Sequence, residues 1–382
     1  MLAGVVRFSV GALGVALLCV ATLLSGCGYP GKGDFCIVGD TLPMRYASLL
    51  EIVECDSFSV VDVKSPWRDA LLHRYILVPK GKTLPANMPE GSLLRTPLDK
   101  ALLFSAVHVN LFSSLGCLEA VKGVCDAQYM LMPEVHEGIA DDRVVDCGSS
   151  LDVDVERVCL LAPEAVFAFP FENGGYGKIE KLNIPVVECA EYMETSPLAA
   201  AEWARFYGRL LGCGHVADSL FDAVCDNFEH LRAMVDTCTS APTLMCELKS
   251  SSAWYVPAGG STMGQMYKMA GAEYLFAYTG GSGSVPLAYE VVLDKAVEAE
   301  KWLFKYNSRG CKTLSSLLAD FPGYARFRAF KNGEVYACNT AVRPFYEETP
   351  FRPDLLLKEL MAIFYPSLFP EYNLRYYEKL QR

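Results

Sequence analysis

The 382-residue sequence predicts an α/β fold. Two lobes with mostly parallel central sheets are joined by a long α-helical connector, with a cleft between the lobes and a β-rich N-terminal addition. Three observations predict it. From about residue 100 to 190, apolar strand-length runs alternate with helical segments, the rhythm of a parallel sheet with helices on its faces. Residues from Ser196 to Val235 then read as helix without a strand, long for a crossover. After residue 238 the strand–helix rhythm returns.

The elements follow in order. Residues 30–95 read as a β-rich preface. Leu50-Glu51-Ile52-Val53-Glu54 and Phe58-Ser59-Val60-Val61-Asp62-Val63 partly alternate, and Tyr75-Ile76-Leu77-Val78 is a short strand ended by Pro79. Turn residues between them predict a meander. In the first lobe, strands are expected at 101–104, 121–124, 144–146, 165–169 and 184–188. Helices are expected over Val109–Leu115, Val153–Leu161 and Tyr176–Leu182, the first ended by Gly116 and the second by Pro163. Ser196-Pro197 opens the connector as a capping residue followed by proline in the first turn, and Gly212-Cys213-Gly214 breaks it. In the second lobe, 244–248, 302–304 and 335–338 are strands. Thr262–Ala270, Tyr289–Ala296 and Asp354–Phe364 are helices, and an aromatic tail finishes the chain. The expected division is a leader at 1–26, the β-rich extension at 27–95, the first lobe at 96–195, the connector at 196–237 and the second lobe at 238–382.

Apolar residues make up 52% of the chain, enough for a large core and too many for wholesale disorder. Lys and Arg total 34 against 45 Asp and Glu, a net charge of −11 without basic clusters, which excludes nucleic acid as the expected partner. Part of the apolar excess is an address. Arg7 precedes an uncharged run from Phe8 to Leu24, short for a membrane span and suited to an export signal. Leu24-Ser25-Gly26-Cys27 resembles a bacterial lipoprotein box, in which the leader is removed and Cys27 is acylated. The expected product is lipid-anchored at the cell membrane and faces the periplasm. Of fifteen cysteines, thirteen remain once Cys19 leaves and Cys27 is acylated, an odd number that cannot all pair within one chain. No CxxC and no zinc-spaced Cys/His cluster is present. Cys117, Cys125, Cys159, Cys189 and Cys225 lie in apolar segments and read as small buried hydrophobes.

The halves share a faint echo: Glu156 and Glu290 each open a helix, and Glu-Ala follows eight residues later, at Glu164-Ala165 and Glu298-Ala299. Over residues 95–365 the order of pieces resembles the helical-backbone (class III) substrate-binding lipoproteins of ABC importers, which deliver iron-siderophores, haem and cobalamin. The pieces are Ala101-Leu102-Leu103-Phe104-Ser105, a helix with Gly116, and Val121-Lys122-Gly123-Val124-Cys125-Asp126. Asp154-Val155-Glu156-Arg157-Val158, Pro163-Glu164-Ala165-Val166, Ile184-Pro185-Val186 and Arg352-Pro353-Asp354 complete them. The β-rich preface departs from the smallest members of that family.

The resemblance implies a monomeric binding protein with no intrinsic cofactor, whose ligand is an iron chelate, haem or corrinoid. Its implied partners are an ABC permease and the ATPase subunits. Glu156 and Glu290 match the positions of the glutamates that dock onto permease arginines, and a carboxylate in a first helical turn is favoured by the helix dipole. Ligand contacts are expected on loops at the carboxyl ends of the strands: Ser105, His108, Tyr129, Ser149, Phe171 and Glu172 in the first lobe; Trp254, Tyr255, Tyr306, Asn339, Arg343 and Tyr346 in the second. Aromatic rings there can stack on flat ligands, and Arg343 can pair with an anionic chelate. Five scattered histidines weigh against a His-rich metal site, and no metal ligand or catalytic residue is assigned. Neither a nucleophile elbow nor a dinucleotide fingerprint stands in the right context, although a periplasmic hydrolase or dehydrogenase, or a capture lipoprotein without an importer, remain the alternatives.

Overall fold

The structure is a computed structural model and describes residues 37–382 apart from Ala86, Thr237 and Thr239. The expected leader and Cys27 lie outside the described residues. Strands β1–β5 (Asp40–Leu42, Leu50–Glu54, Ser59–Lys64, Leu71–Pro79, Ser92–Thr96) form one sheet in chain order. β1–β4 is the expected antiparallel meander, whereas β5, which the sequence pattern did not reveal, runs parallel to β4. Alternation along the strands decides the faces. Ile52, Val61, Val63, Tyr75 and Leu77 join the core of the first lobe, and Val60, Ile76 and Val78 cluster on the opposite face.

The second sheet contains β6 (Ala101–Leu103), β7 (Val121–Val124) and β8 (Val145–Asp146). A separate hairpin, β9 (Gly148–Ser149) and β10 (Asp152–Val153), comes next, and β11 (Ala165–Ala168) and β12 (Val186–Glu188) complete the sheet. Its order is β12-β11-β6-β7-β8, and every pairing is parallel. β11 is buried throughout, which suits its uninterrupted apolar sequence. Helices α1 (Ala106–Ser114), α2 (Pro133–Ala140) and α3 (Val155–Leu161) lie between the strands.

The connector is helical, as expected: α4 (Pro197–Glu202), α5 (Ala204–Leu210) and α6 (Gly214–Val235). The Ser196 hydroxyl accepts from the Ala199 N–H at 3.1 Å, capping α4. α5 and α6 meet so closely that a Cβ added at Gly208 would lie 2.3 Å from that of Ala217.

The third sheet has order β16-β13-β18-β19-β20: β13 (Thr243–Cys246), β16 (Glu273–Tyr274), β18 (Lys301–Tyr306), β19 (Val335–Asn339) and β20 (Glu378–Lys379). Only β20 is antiparallel to its neighbour. An antiparallel ribbon of β14 (Lys249–Ser250), β15 (Ala253–Pro257) and β17 (Ser284–Leu287) stands apart from it. Helices α7 (Thr262–Met269), α8 (Tyr289–Ala296), α9 (Leu314–Asp320), α10 (Arg328–Lys331), α11 (Phe345–Glu348) and α12 (Pro353–Phe364) complete this lobe. The two lobes touch where α1 packs on α11. The Leu131 N–H there donates to Glu347 at 2.7 Å.

Three expectations are corrected. Tyr176–Leu182 holds only a short 3₁₀ turn at Ile179–Leu182, because Gly174, Gly175 and Gly177 precede it. Trp254-Tyr255 is strand rather than loop, with Trp254 inward and Tyr255 outward. The expected aromatic tail packs into the second lobe's core, with Tyr376 and Tyr377 buried. Among the described residues twelve cysteines are free, and Cys159, expected to be buried, is exposed.

Buried carboxylates fasten the chain's outlying segments. Glu202 is wholly buried and accepts the N–H groups of Arg45, Tyr46 and Ala47 at 2.8–2.9 Å. Glu194 accepts from Ser48, Leu49 and the Trp203 indole. Glu359 does the same for the tail, accepting from the N–H groups of Arg375, Tyr376 and Tyr377 at 2.8 Å. Between α5 and α6, Asp218 accepts from Arg205 at 2.9 Å and Arg209 at 3.1 Å. Burial acts to raise its pKa, but the two guanidiniums outweigh it and hold the carboxyl below the ordinary 3.8. Its stabilisation is therefore present above the unfolded value and is lost as pH falls through the folded one. Asp218→Asn will flatten the loss of stability on acidification, read as urea midpoints measured at about pH 7 and about pH 3.

Candidate functional site

Both parallel sheets open onto a pocket at the carboxyl ends of their strands, where strand termini leave loops free to carry polar groups. In the first lobe the pocket measures about 410 Å³. Phe104 and Ser105 reach it from the end of β6, Phe169 and Phe171 from beyond β11, and Ser150 to Val153 from the hairpin. Tyr176 and Lys178 close it. The Ser150 hydroxyl donates to Asp126 at 2.5 Å, and the Tyr176 hydroxyl donates to Glu188. Burial raises the pKa of both Tyr176 and Glu188.

The second-lobe pocket is larger, about 840 Å³. Glu247 follows β13, and Lys305, Tyr306 and Asn307 end β18. Tyr255 on β15, Ser261 and Thr262 at the start of α7, Thr340 after β19 and Tyr346 on α11 supply further walls. Lys305 donates to the Glu247 carboxylate from side chains only 14% and 18% exposed. Burial acts to lower the Lys305 pKa, but the Glu247 charge outweighs it and holds the ammonium above its ordinary value. Glu247 sits at φ +61°, a left-handed backbone that favours glycine. A strained residue and a largely desolvated ion pair at the same pocket wall mark a site shaped for more than folding. Lys305→Met leaves the Glu247 charge unpaired and will cost about 1–3 kcal/mol, whereas adding Glu247→Met will restore most of the loss in a double-mutant cycle read by urea unfolding.

Six of the expected ligand residues line a cavity. Ser105 and Phe171 line the first-lobe pocket, and Tyr255, Tyr306 and Tyr346 line the second. Glu172 lines a smaller cavity beside Phe171. His108 is corrected: it is fully buried, 2.8 Å from Glu191, which also accepts from Tyr207 at 2.7 Å. With Cys189 these make the single grouping dense enough for a metal ion among the described residues. His108 and Glu191 are already hydrogen-bonded to each other, inside a shell of aromatic rings. Trp254 is corrected likewise: its indole donates to the Cys246 carbonyl within the core. Asn339 is buried and bonded to Ser308, so it ties the loop after β18 to the end of β19 and does not line the pocket. Tyr129 and Ser149 are exposed outside both pockets, and Arg343 leans toward the Arg375 carbonyl. Glu247, Lys305 and Tyr176 were not among the residues expected from the sequence. The signal for Lys305 was a charge inside the apolar run Trp302-Leu303-Phe304-Lys305-Tyr306, at the strand end where ligands bind.

The sequence pattern of the periplasmic binding proteins matches residues 123–341, more than half of the chain. The chain belongs to the periplasmic binding protein family. An uncharacterized lipoprotein of Methanocaldococcus jannaschii is 23% identical over 317 residues, covering 79% of this binding protein and 74% of the relative. Among solved structures, the TroA-like periplasmic binding protein FepB of Veillonella parvula is similar with a TM-score of 0.57 at 14% identity, covering 75% of this chain and 96% of that one. The periplasmic haem-binding protein RhuT of Roseiflexus sp. RS-1 gives 0.53 at 19%, covering 70% and 98%. This binding protein therefore has the two-lobed fold expected, with a solute-binding rather than a catalytic role, and the hydrolase and dehydrogenase alternatives are set aside.

Proposed function

We propose that this binding protein captures a metal chelate, an iron-siderophore, haem or corrinoid, and hands it to an inner-membrane ABC permease. The carrying observation is the pair of aromatic-walled pockets at the carboxyl ends of both parallel sheets. Phe104, Phe169, Phe171 and Tyr176 on one side and Tyr255, Tyr306 and Tyr346 on the other supply rings for a flat or aryl-rich ligand. Lys305, whose charge is matched by Glu247, adds a hydrogen-bond donor to the wall. Delivery rests on Glu156 and Glu290, each exposed in the first turn of its helix, α3 and α8. Exposed apolar side chains stand on the same helices: Leu160 is 82% exposed on α3 and Val291 41% on α8. A carboxylate beside apolar surface is what a partner with arginines and an apolar rim engages.

Anchoring at the membrane rests on Cys27 and on the lipoprotein relative. Among the described residues no helix is long and apolar enough to cross a membrane. The test is the visible and mass spectrum of protein purified from its native host. A Soret, corrin or charge-transfer band with a matching bound mass is expected. Protein that carries no chelate, and takes none up from a haem, cobalamin and siderophore panel, would refute the reading.

A further inference from the structure

The β1–β5 sheet lies wholly outside the matched family region, which begins at residue 123. This sheet is nevertheless fastened to the connector and to the first lobe. Glu202 and Glu194 hold the segment before β2, and the Tyr75 hydroxyl donates to the Val186 carbonyl at 2.9 Å. Arg209 pairs with Glu54 at 2.7 Å.

The turn between β3 and β4 carries Trp67 and Arg68. There the sheet meets the first-lobe loop at Pro170–Gly174 and encloses a cavity of about 280 Å³. Phe171 and Tyr176 line both this cavity and the first-lobe pocket, so the two share a wall. Trp67 is half-buried here, whereas Trp203, Trp254 and Trp302 are fully buried in the core. Arg68 is exposed and makes no ion pair among the described residues. Glu188, the acid deepest in this cavity, is occupied by the Tyr176 hydroxyl.

The geometry points to the added sheet as a third wall of the ligand site: Trp67 and Phe171 hold a flat ring of the bound chelate, and Arg68 pairs with an acidic group at its rim. This deepens the proposed function and rests on it. It narrows the ligand to a chelate with a conjugated ring system and a peripheral carboxylate or comparable oxyanion. A guanidinium pairs with such a group bidentately. A neutral aliphatic hydroxamate chelate has nothing to offer either side chain.

The test compares full-length wild type with Trp67→Ala and Arg68→Ala, using haemin and the neutral ferrioxamine E as probes in equilibrium dialysis. Both variants lie on a surface turn, and thermal melts will confirm that they fold. The expected result is wild-type binding of haemin, weakened about tenfold in each variant, with any ferrioxamine E binding unchanged. Haemin affinity equal in wild type and both variants overturns the third wall and leaves the proposed function standing. Equal weakening for both probes also overturns it, because the turn would then act on the lobe as a whole. Wild type that binds neither haemin, ferrioxamine E, cobalamin nor a ferric catecholate overturns the proposed function itself, and this inference with it.

Discussion

Reversing both proposed docking charges, Glu156→Lys with Glu290→Lys, will reduce uptake of the ligand to background in cells while leaving its affinity for the purified protein unchanged. Both residues are exposed, sit in first helical turns, and make no ion pair among the described residues. Their replacement removes only the favourable interaction of each carboxylate with its helix dipole, so stability should fall by no more than about 2 kcal/mol. At a permease surface the same change replaces two attractions with two repulsions. Turning a carboxylate–arginine attraction into a like-charge repulsion costs several kcal/mol at each site, so the pair corresponds to more than about a thousandfold in complex formation. Uptake assayed with radiolabelled iron or cobalt chelate, beside dialysis of the purified variant, separates delivery from capture. Uptake that persists would leave a capture or sensory lipoprotein as the surviving function.

The second large effect is on stability. Glu202→Ala will destabilise the protein by about 3–5 kcal/mol, and Glu202→Gln by less. Three backbone N–H groups, those of Arg45, Tyr46 and Ala47, converge on this one wholly buried carboxylate. Hydrogen bonds to a charged group contribute about 1.5–3 kcal/mol each, and orphaned donors in a buried site add their desolvation cost. Arg205, 3.4 Å from the same carboxylate, would also lose a partner. Urea denaturation followed by circular dichroism gives the number. Hydrogen exchange gives its location, because protection should fall first at residues 45–49 and in β2. A uniform loss of protection across both lobes would show that this carboxylate supports more than the seam between the added sheet and the connector.

Much of the architecture was legible because periodicity and punctuation agree with tertiary packing in these stretches. Ser196-Pro197 started the connector, Gly212-Cys213-Gly214 broke it, and Tyr289–Ala296 is helical from end to end. Wholly apolar runs such as Ala165–Ala168 became central strands. The misses have physical causes. Trp254-Tyr255 alternates inward and outward over too short a run to separate a strand from a loop. The aromatic tail is held by Glu359 on the preceding helix α12, and no local signal announces such a clamp. At the site, the types of residue were read better than their exposure. Tyr255, Tyr306 and Tyr346 reach the pocket, but His108 and Trp254 found partners in the core. Which of two aromatic neighbours faces a ligand depends on strand register, and register is set by residues far away in sequence.

On the proposed function, two sheet-based lobes on a stiff helical connector grip a chelate and release it unaltered. A crystal structure with the chelate bound tests this most directly. Intact ligand is expected between Phe171 and Tyr176 of one lobe and Tyr255 and Lys305 of the other, with the lobes turned by only a few degrees from their unliganded positions. Ligand bound away from both pockets, a chemically altered ligand, or a closure of tens of degrees would contradict it.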